Sequence, residues 1–399
     1  MYKLRQFVIA VLCYAVFIFA LFTYRLSPLK QFVGRFDKNA SVSFRYPPTI
    51  GRSIQFANMT SNLNVRSTKS TKCTPHKNIV FFKTHKCGSS SVQNIFLRFG
   101  DKHNLTFAMP MENTSTYNHT FSFFIPFKPN MVENLTANEY NILAHHCVFN
   151  KPGFEAIMPS DSFYVTIIRE PVSVFHSYFG YFGWKNKFEL QNYSNPLEEF
   201  INRVETFDVI PQRYNRRDVV FHHFDYKQSI KTDTMAKMVM ANMERELDFV
   251  MLLEYLDESL ILLKNKLCWS FEDILYVPKL VRSQRFAINE SLANRIRKWS
   301  RWDVLLYDRF NTSFWKQVDK FGLDKMKREL KIFKEKQKEL LENCTDEKDN
   351  VLSKIKNTKF KSHIKEGGFC WKIQRSESKY TKYLREKQRK LFNQTKKIT

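Results

Sequence analysis

The 399-residue chain contains no G-x-x-x-x-G-K-S/T run, the loop with which nucleotide triphosphatases cradle phosphates and place a hydroxyl on magnesium. It also lacks a credible magnesium-binding arrangement, which speaks against a kinase of that type. None of its seven cysteines forms a CxxC pair, and no His/Cys pattern has metal-ligand spacing, so a structural zinc is not expected and no metal is predicted. His222-His223 accordingly reads as a surface pair. Acidic residues are scarce: 39 Asp and Glu face 64 Lys and Arg, for a formal charge of +25. No nucleic-acid recognition motif accompanies that excess. Three readings compete for it: a solvated face, a patch for anionic substrate or lipid headgroups, and nucleic-acid binding, the last disfavoured.

Charge is absent in one place in particular. Residues Phe7 to Tyr24 form an uninterrupted apolar and aromatic run, roughly 27 Å long as a helix and close to the hydrocarbon thickness of a bilayer. Lys3 and Arg5 precede it and Arg25, Lys30 and Arg35 follow, so flanking charge does not settle its orientation. A cleaved signal peptide is the rival reading. No small-x-small cleavage site follows the run, which favours a retained signal anchor: residues 1–6 cytoplasmic, 7–24 in the membrane, and the rest luminal. Asn-x-Ser/Thr acceptors recur from Asn39 to Asn393, and such sites matter only in a secretory lumen. Cys73, Cys87, Cys147, Cys268, Cys344 and Cys370 would face that oxidising compartment, with their connectivity open. Residues 25–72, polar and without sustained periodicity, read as a stem.

The globular part, 73–322, has the size of one α/β domain. Strands expected near Ile79–Phe82, Asn141–His145, Phe163–Ile168 and Phe249–Leu253 alternate with helices, the pattern of a parallel sheet with crossovers. The first of them runs into Lys83-Thr84-His85-Lys86-Cys87-Gly88-Ser89-Ser90-Ser91. Backbone amides, a helix N-terminus and an ammonium group converge there, a site suited to an anion. Val92, Ile95, Phe96 and Phe99 recur at helical spacing, and Gly100 is a plausible stop. A second site follows the third strand, where Arg169-Glu170-Pro171 enters a helix through proline. Ser173 and Ser177 share a face of that helix, and a guanidinium fork binds phosphate oxygens in pairs. Ligands of such sheets lie beyond the strands' carboxyl ends, where both motifs fall.

Lysine ahead of glycine with serines behind, and Arg169 paired with Ser177, resemble the donor-binding loops of sulfotransferases. The chain is similar to the galactose-3-O-sulfotransferase family in these blocks and in Ala144-His145-His146 with Phe149-Asn150, Asp248 to Leu260, Cys268 to Tyr276, and Trp302 to Trp315. The likeness covers roughly 75 to 325. It implies a P-loop-like sulfotransferase fold, α/β, with a central parallel sheet flanked by helices and a single N-terminal transmembrane helix. It further implies a Golgi type II membrane enzyme using 3′-phosphoadenosine 5′-phosphosulfate, with a galactose-terminated glycolipid or glycan as acceptor. A homodimer is among the expected partners. Lys83, Thr84, Lys86, Cys87, Gly88, Ser89, Ser90 and Ser91 would grip the 5′-phosphosulfate, and Arg169, Ser173 and Ser177 the 3′-phosphate. Cys87-Gly88 departs from the commoner Thr-Ala, which leaves Cys87 as a small filler, a disulfide partner or a reactive thiol.

Sulfuryl transfer needs a base for the acceptor hydroxyl and a cation for the leaving phosphate. Lys86 suits the second task. His85, His145 and His146 are candidates for the first; a histidine resembling His146 is the base proposed in the related uronyl 2-O-sulfotransferases. Lys83 would add charge at the cradle or form a solvated flank, and Arg282 and Arg285 would reach donor or acceptor or lie at the surface. Trp299, Trp302, Tyr307 and Trp315 read as core rather than sugar platforms. Residues 323–399 form a basic extension with an amphipathic helix over Asp324 to Glu342, expected to pack on the domain. Alternatives are glycosaminoglycan 2-O transfer, or a non-catalytic donor- or carbohydrate-binding protein of the same fold; retention of Lys86, Arg169, Ser177 and the histidines argues against the latter.

Overall fold

A computed structural model of the chain describes residues 73–112, 119–134, 139–204, 217–224, 230–279, 286–345 and 364–395. The apolar run at 7–24, the stem, and Arg282 and Arg285 lie outside the described residues. Among the described residues no helix is long and apolar enough to cross a membrane.

Four parallel strands make the central sheet: β1 (Ile79–Phe82), β2 (Ile142–Leu143), β3 (Phe163–Ile168) and β4 (Phe249–Leu252), in the order β2-β1-β3-β4. Pairing runs Ile79 with Ile142, Phe82 with Thr166, and Val165 with Phe249. The strands are almost wholly buried, as the continuous apolar sequences require of a parallel sheet covered on both faces. The chain leaves β1 for β2 on one side and returns to β3 on the other. Strand order therefore reverses at β1, the kind of place where open α/β sheets bind ligands. Thr166 Oγ1 donates to the Phe82 carbonyl over 2.7 Å and Thr84 Oγ1 donates to the Ile167 carbonyl, tying β1 and β3 together at their carboxyl ends.

Among the helices around the sheet are α1 (Ser89–Lys102), α2 (Pro171–Tyr181), α3 (Asp233–Glu246), α4 (Leu256–Leu267), α5 (Phe271–Ile274), α6 (Glu290–Trp299), α7 (Arg301–Phe321), α8 (Leu323–Cys344), α9 (Phe369–Gln374) and α10 (Glu377–Thr395). Val92, Ile95, Phe96 and Phe99 are buried as their spacing requires, but Gly100 does not stop α1. A Cβ there would stand 2.6 Å from the Phe107 ring, so the glycine serves close packing and the helix continues to Lys102. In α8, Met326, Phe333, Leu340 and Leu341 are buried. Trp299 is buried in the core, and Trp302, Tyr307 and Trp315 pack against it.

Disulfides join Cys73 to Cys268 and Cys344 to Cys370. The second links α8 to α9 and so fixes where the C-terminal segment begins its return to α1. That segment docks by charge as well as by packing. Lys372 and Lys387 each lie 2.7 Å from Asp101, Arg385 pairs with Glu112 and Glu133, and Arg389 joins the same two carboxylates. Part of the basic excess is thus taken up by carboxylates of the main domain rather than left to solvent.

Candidate active site

The loop between β1 and α1 alternates in exposure: Lys86, Gly88 and Ser90 are half-buried, while His85, Cys87 and Ser89 are buried between them. Lys86 holds a φ of 60° and Gly88 a φ of 72°, both in the left-handed region that makes a tight cradle. Gly88 has a second reason to lack a side chain, since a Cβ would meet Leu253 Cδ1 at 2.5 Å. The buried residues brace the loop from within. Ser89 Oγ donates to the Thr84 carbonyl over 2.6 Å, and Ser91 Oγ accepts from the Lys279 amide over 2.9 Å. The Thr84, Ser89 and Ser91 hydroxyls are therefore engaged in the scaffold. Cys87 forms no disulfide; its thiol donates to the His85 carbonyl over 3.2 Å, and burial pushes its pKa up to about 12. A protonated, enclosed thiol fits the filler role.

Arg169 lies beyond the end of β3, beside the loop. Its Nη1 donates to the Lys86 carbonyl over 3.2 Å, which fastens the two expected phosphate sites to each other. Glu170 caps α2 by accepting from the Val172 and Ser173 amides, and its own amide donates to Glu254 Oε1 over 3.0 Å. Glu254 in turn accepts from the Tyr307 hydroxyl. The residue after Arg169 is thus anchored through both its amide and its carboxylate, and Ser173 and Ser177 are half-buried along α2. Lys86 Nζ stands 3.7 Å above the Tyr181 ring at the last turn of that helix, a cation–π contact between the loop and α2.

Lys83 corrects an expectation. Rather than a solvated flank it is 0% exposed, with its ammonium donating to Gln93 Oε1 over 2.9 Å and paired with Glu377 of α10. Desolvation lowers its pKa and Glu377 opposes that shift. Its backbone carbonyl does different work, accepting from His146 Nδ1 over 3.0 Å. Because a carbonyl only accepts, Nδ1 carries the proton and Nε2 of the neutral ring keeps its lone pair. Burial, then the charge of Lys83, holds His146 well below the usual histidine range. His145 is buried more deeply, bonded through Nε2 to Thr381 Oγ1 of α10 at 3.0 Å, and is depressed for the same two reasons.

His85 has two imidazole neighbours, in directions at right angles to each other: its ring stacks on His146 at 4.5 Å and 20°, His223 lies beside it, near-coplanar, at 4.6 Å and 15°, and Phe123 leans on it at 4.8 Å. His223 is therefore not half of a surface pair: it is 0% exposed and shares a hydrogen bond with His85 Nδ1, whereas His222 is half-buried. The signal was present in Val219-Val220-Phe221 and Phe224, apolar neighbours that draw the histidine inward. Glu377 and Thr381 were also missed, and their i, i+4 spacing places both on the face of α10 toward the loop. Among the described residues, no group of three or more His, Cys, Asp or Glu is arranged to hold a metal ion.

Residues 1–367 match the family model described as galactose-3-O-sulfotransferase. Human galactosylceramide sulfotransferase is 30% identical over 343 residues, 83% of this chain and 76% of the relative. Mouse galactose-3-O-sulfotransferase 3 is 34% identical over 286 residues, 67% of this chain and 63% of the relative. Mouse galactose-3-O-sulfotransferase 2 is 28% identical over 278 residues, 68% of this chain and 70% of the relative. Against some of these relatives the chain spans less than two thirds of their length. The described cradle, the arginine beside it and the imidazole with an available lone pair all fall within the matched region. The chain belongs to the galactose-3-O-sulfotransferase family.

Proposed function

We propose that the protein transfers a sulfuryl group to the 3-OH of a β-galactose on a glycolipid or glycoprotein, with 3′-phosphoadenosine 5′-phosphosulfate as donor. The relatives' names, galactosylceramide sulfotransferase and galactose-3-O-sulfotransferase, support the acceptor class. The observation that carries the chemistry is the convergence of the Lys86–Gly88 cradle, Arg169 and His146 at the carboxyl ends of neighbouring strands. The donor's phosphates suit these groups: amides at the start of α1, one ammonium and one guanidinium. When bound, the donor supplies the sulfuryl group and a phosphate leaving group.

The chain's own residues divide the work. His146 Nε2 takes the acceptor's hydroxyl proton, and the Lys83 carbonyl keeps that ring in the tautomer that can do so. Lys86 and the α1 amides stabilise charge on the departing phosphate. Arg169 holds the far phosphate, with Ser173 and Ser177 alongside. In the same reading the run at 7–24 anchors the enzyme in the Golgi membrane with its catalytic domain in the lumen, where the two disulfides would be stable.

The test is transfer of labelled sulfate by the full chain to a panel of β-galactosides, their 3-deoxy analogues and glycosaminoglycans. Labelling of galactosides and not of 3-deoxy analogues is expected. Labelling of glycosaminoglycans alone would contradict the acceptor assignment.

A further inference from the structure

We propose that His223 is a positioning residue for sulfuryl transfer: it fixes the ring of His85, and the stacked His85 ring fixes the plane of His146. The inference rests on the reading of His146 as the base. His223 belongs to a turn 138 residues from His85 in sequence, and several independent contacts immobilise it. Val220 and Phe221 donate their amides to Asp303 Oδ1 over 3.1 and 2.7 Å, and Trp302 donates its amide to Asp218 Oδ1 over 2.7 Å. These bonds lock the turn to the N-terminus of α7. The His223 carbonyl accepts from the Phe149 amide over 2.9 Å, tying the turn to the segment after β2, and its ring meets Phe82 edge-on at 6.0 Å.

The hydrogen bond between the two imidazoles has a chemical consequence. One nitrogen must donate and the other accept, so the bond survives only while at least one of the two rings is neutral. His223 thereby orients His85 through a nitrogen that carries no charge while its ring is neutral. His85, bonded at its edge to His223 and with its face against His146, then acts as a wall against which His146 cannot turn. The arrangement has the form of a base with an orienting partner, the partner being reached through a stacked ring.

Three variants of the full chain test this against a β-galactoside acceptor. His223→Phe keeps a flat ring and removes the nitrogens; His223→Gln carries an amide to about the Nε2 position; His223→Asn is polar but too short to reach it. Loss of orientation lowers kcat by about 10- to 100-fold in the Phe and Asn variants, with KM for the donor changed by less than about twofold. His223→Gln recovers most of the loss. If the phenylalanine is not accommodated, as thermal melting would show, the Asn and Gln variants alone give the comparison. Wild-type kcat in the Asn variant overturns the proposal, as does a Gln variant impaired as much as the Asn one, since both keep the protein polar there and differ only in reach. A wild-type chain that transfers no sulfate contradicts the sulfotransferase reading instead, and full activity of His146→Ala contradicts the assignment of the base.

Discussion

At the scale of single residues, the site depends on what each side chain is prevented from doing. His146 is kept neutral by burial and by Lys83, and its tautomer is set by one carbonyl. On the proposal that His146 is the base, His146→Ala should lower kcat by about 10²- to 10⁴-fold, while donor binding, measured by calorimetry with the desulfated donor, is retained. The pH dependence has a defined sign. A base whose pKa is depressed stays unprotonated as pH falls through 6.5, so the acidic limb of kcat/KM should lie below that value; a limb at or above it would contradict the assignment. Gly88 is constrained twice, by its positive φ and by Leu253. Gly88→Ala should cost about 1–2 kcal/mol for the left-handed backbone alone, read as a lower urea midpoint with unchanged slope, and an unchanged midpoint would show that the cradle tolerates a side chain.

At the scale of elements, the α10 helix is the back wall of the site. It presents Glu377 to the Lys83 ammonium and Thr381 to His145, while Tyr380, Arg385 and Gln388 bind α1 and the segment following it. Lys83 is the hinge of this arrangement, since its side chain is held by α10 and its carbonyl holds His146. Glu377→Gln leaves an ammonium buried without its counter-charge, at a cost of about 3–5 kcal/mol. Lys83→Met combined with Glu377→Leu replaces the pair by apolar groups and should recover most of that stability in chemical denaturation. A double variant no more stable than Glu377→Gln would mean that the ion pair is not what the helix contributes. The family match ends at residue 367, ahead of these contacts.

Elements differed in how far their sequences announced them. β1 and β3 were legible at their ends because a parallel strand covered on both faces is a continuous apolar run, and nothing local competes with that reading. The tight turn of the loop was legible because its glycine and the helix after it are neighbours in sequence. His223 and Glu377 were not, because their roles arise from contacts across 138 and 294 residues of chain; the apolar neighbours of His223 signal its burial but not its partner. Gly100 was misread for a related reason: its use is to let Phe107 approach, a fact of packing that helix-end statistics do not contain.

For the molecule as a whole, the sheet does the organising. Reversal of strand order at β1 brings the Lys86 loop beside the end of β3, and the Arg169–Lys86 bond joins the two. The charge of +25 is partly consumed in docking the C-terminal segment, so its magnitude alone says little about partners. The central claim is that this junction of loops is a sulfate-donor cradle whose lysine stabilises the leaving phosphate. The most direct measurement is the rate of labelled sulfuryl transfer to a β-galactoside by the full wild-type chain and by Lys86→Ala. The account predicts transfer by the wild type and a loss of about 10²- to 10³-fold in the variant, and either no transfer by the wild type or an undiminished rate in Lys86→Ala would contradict it.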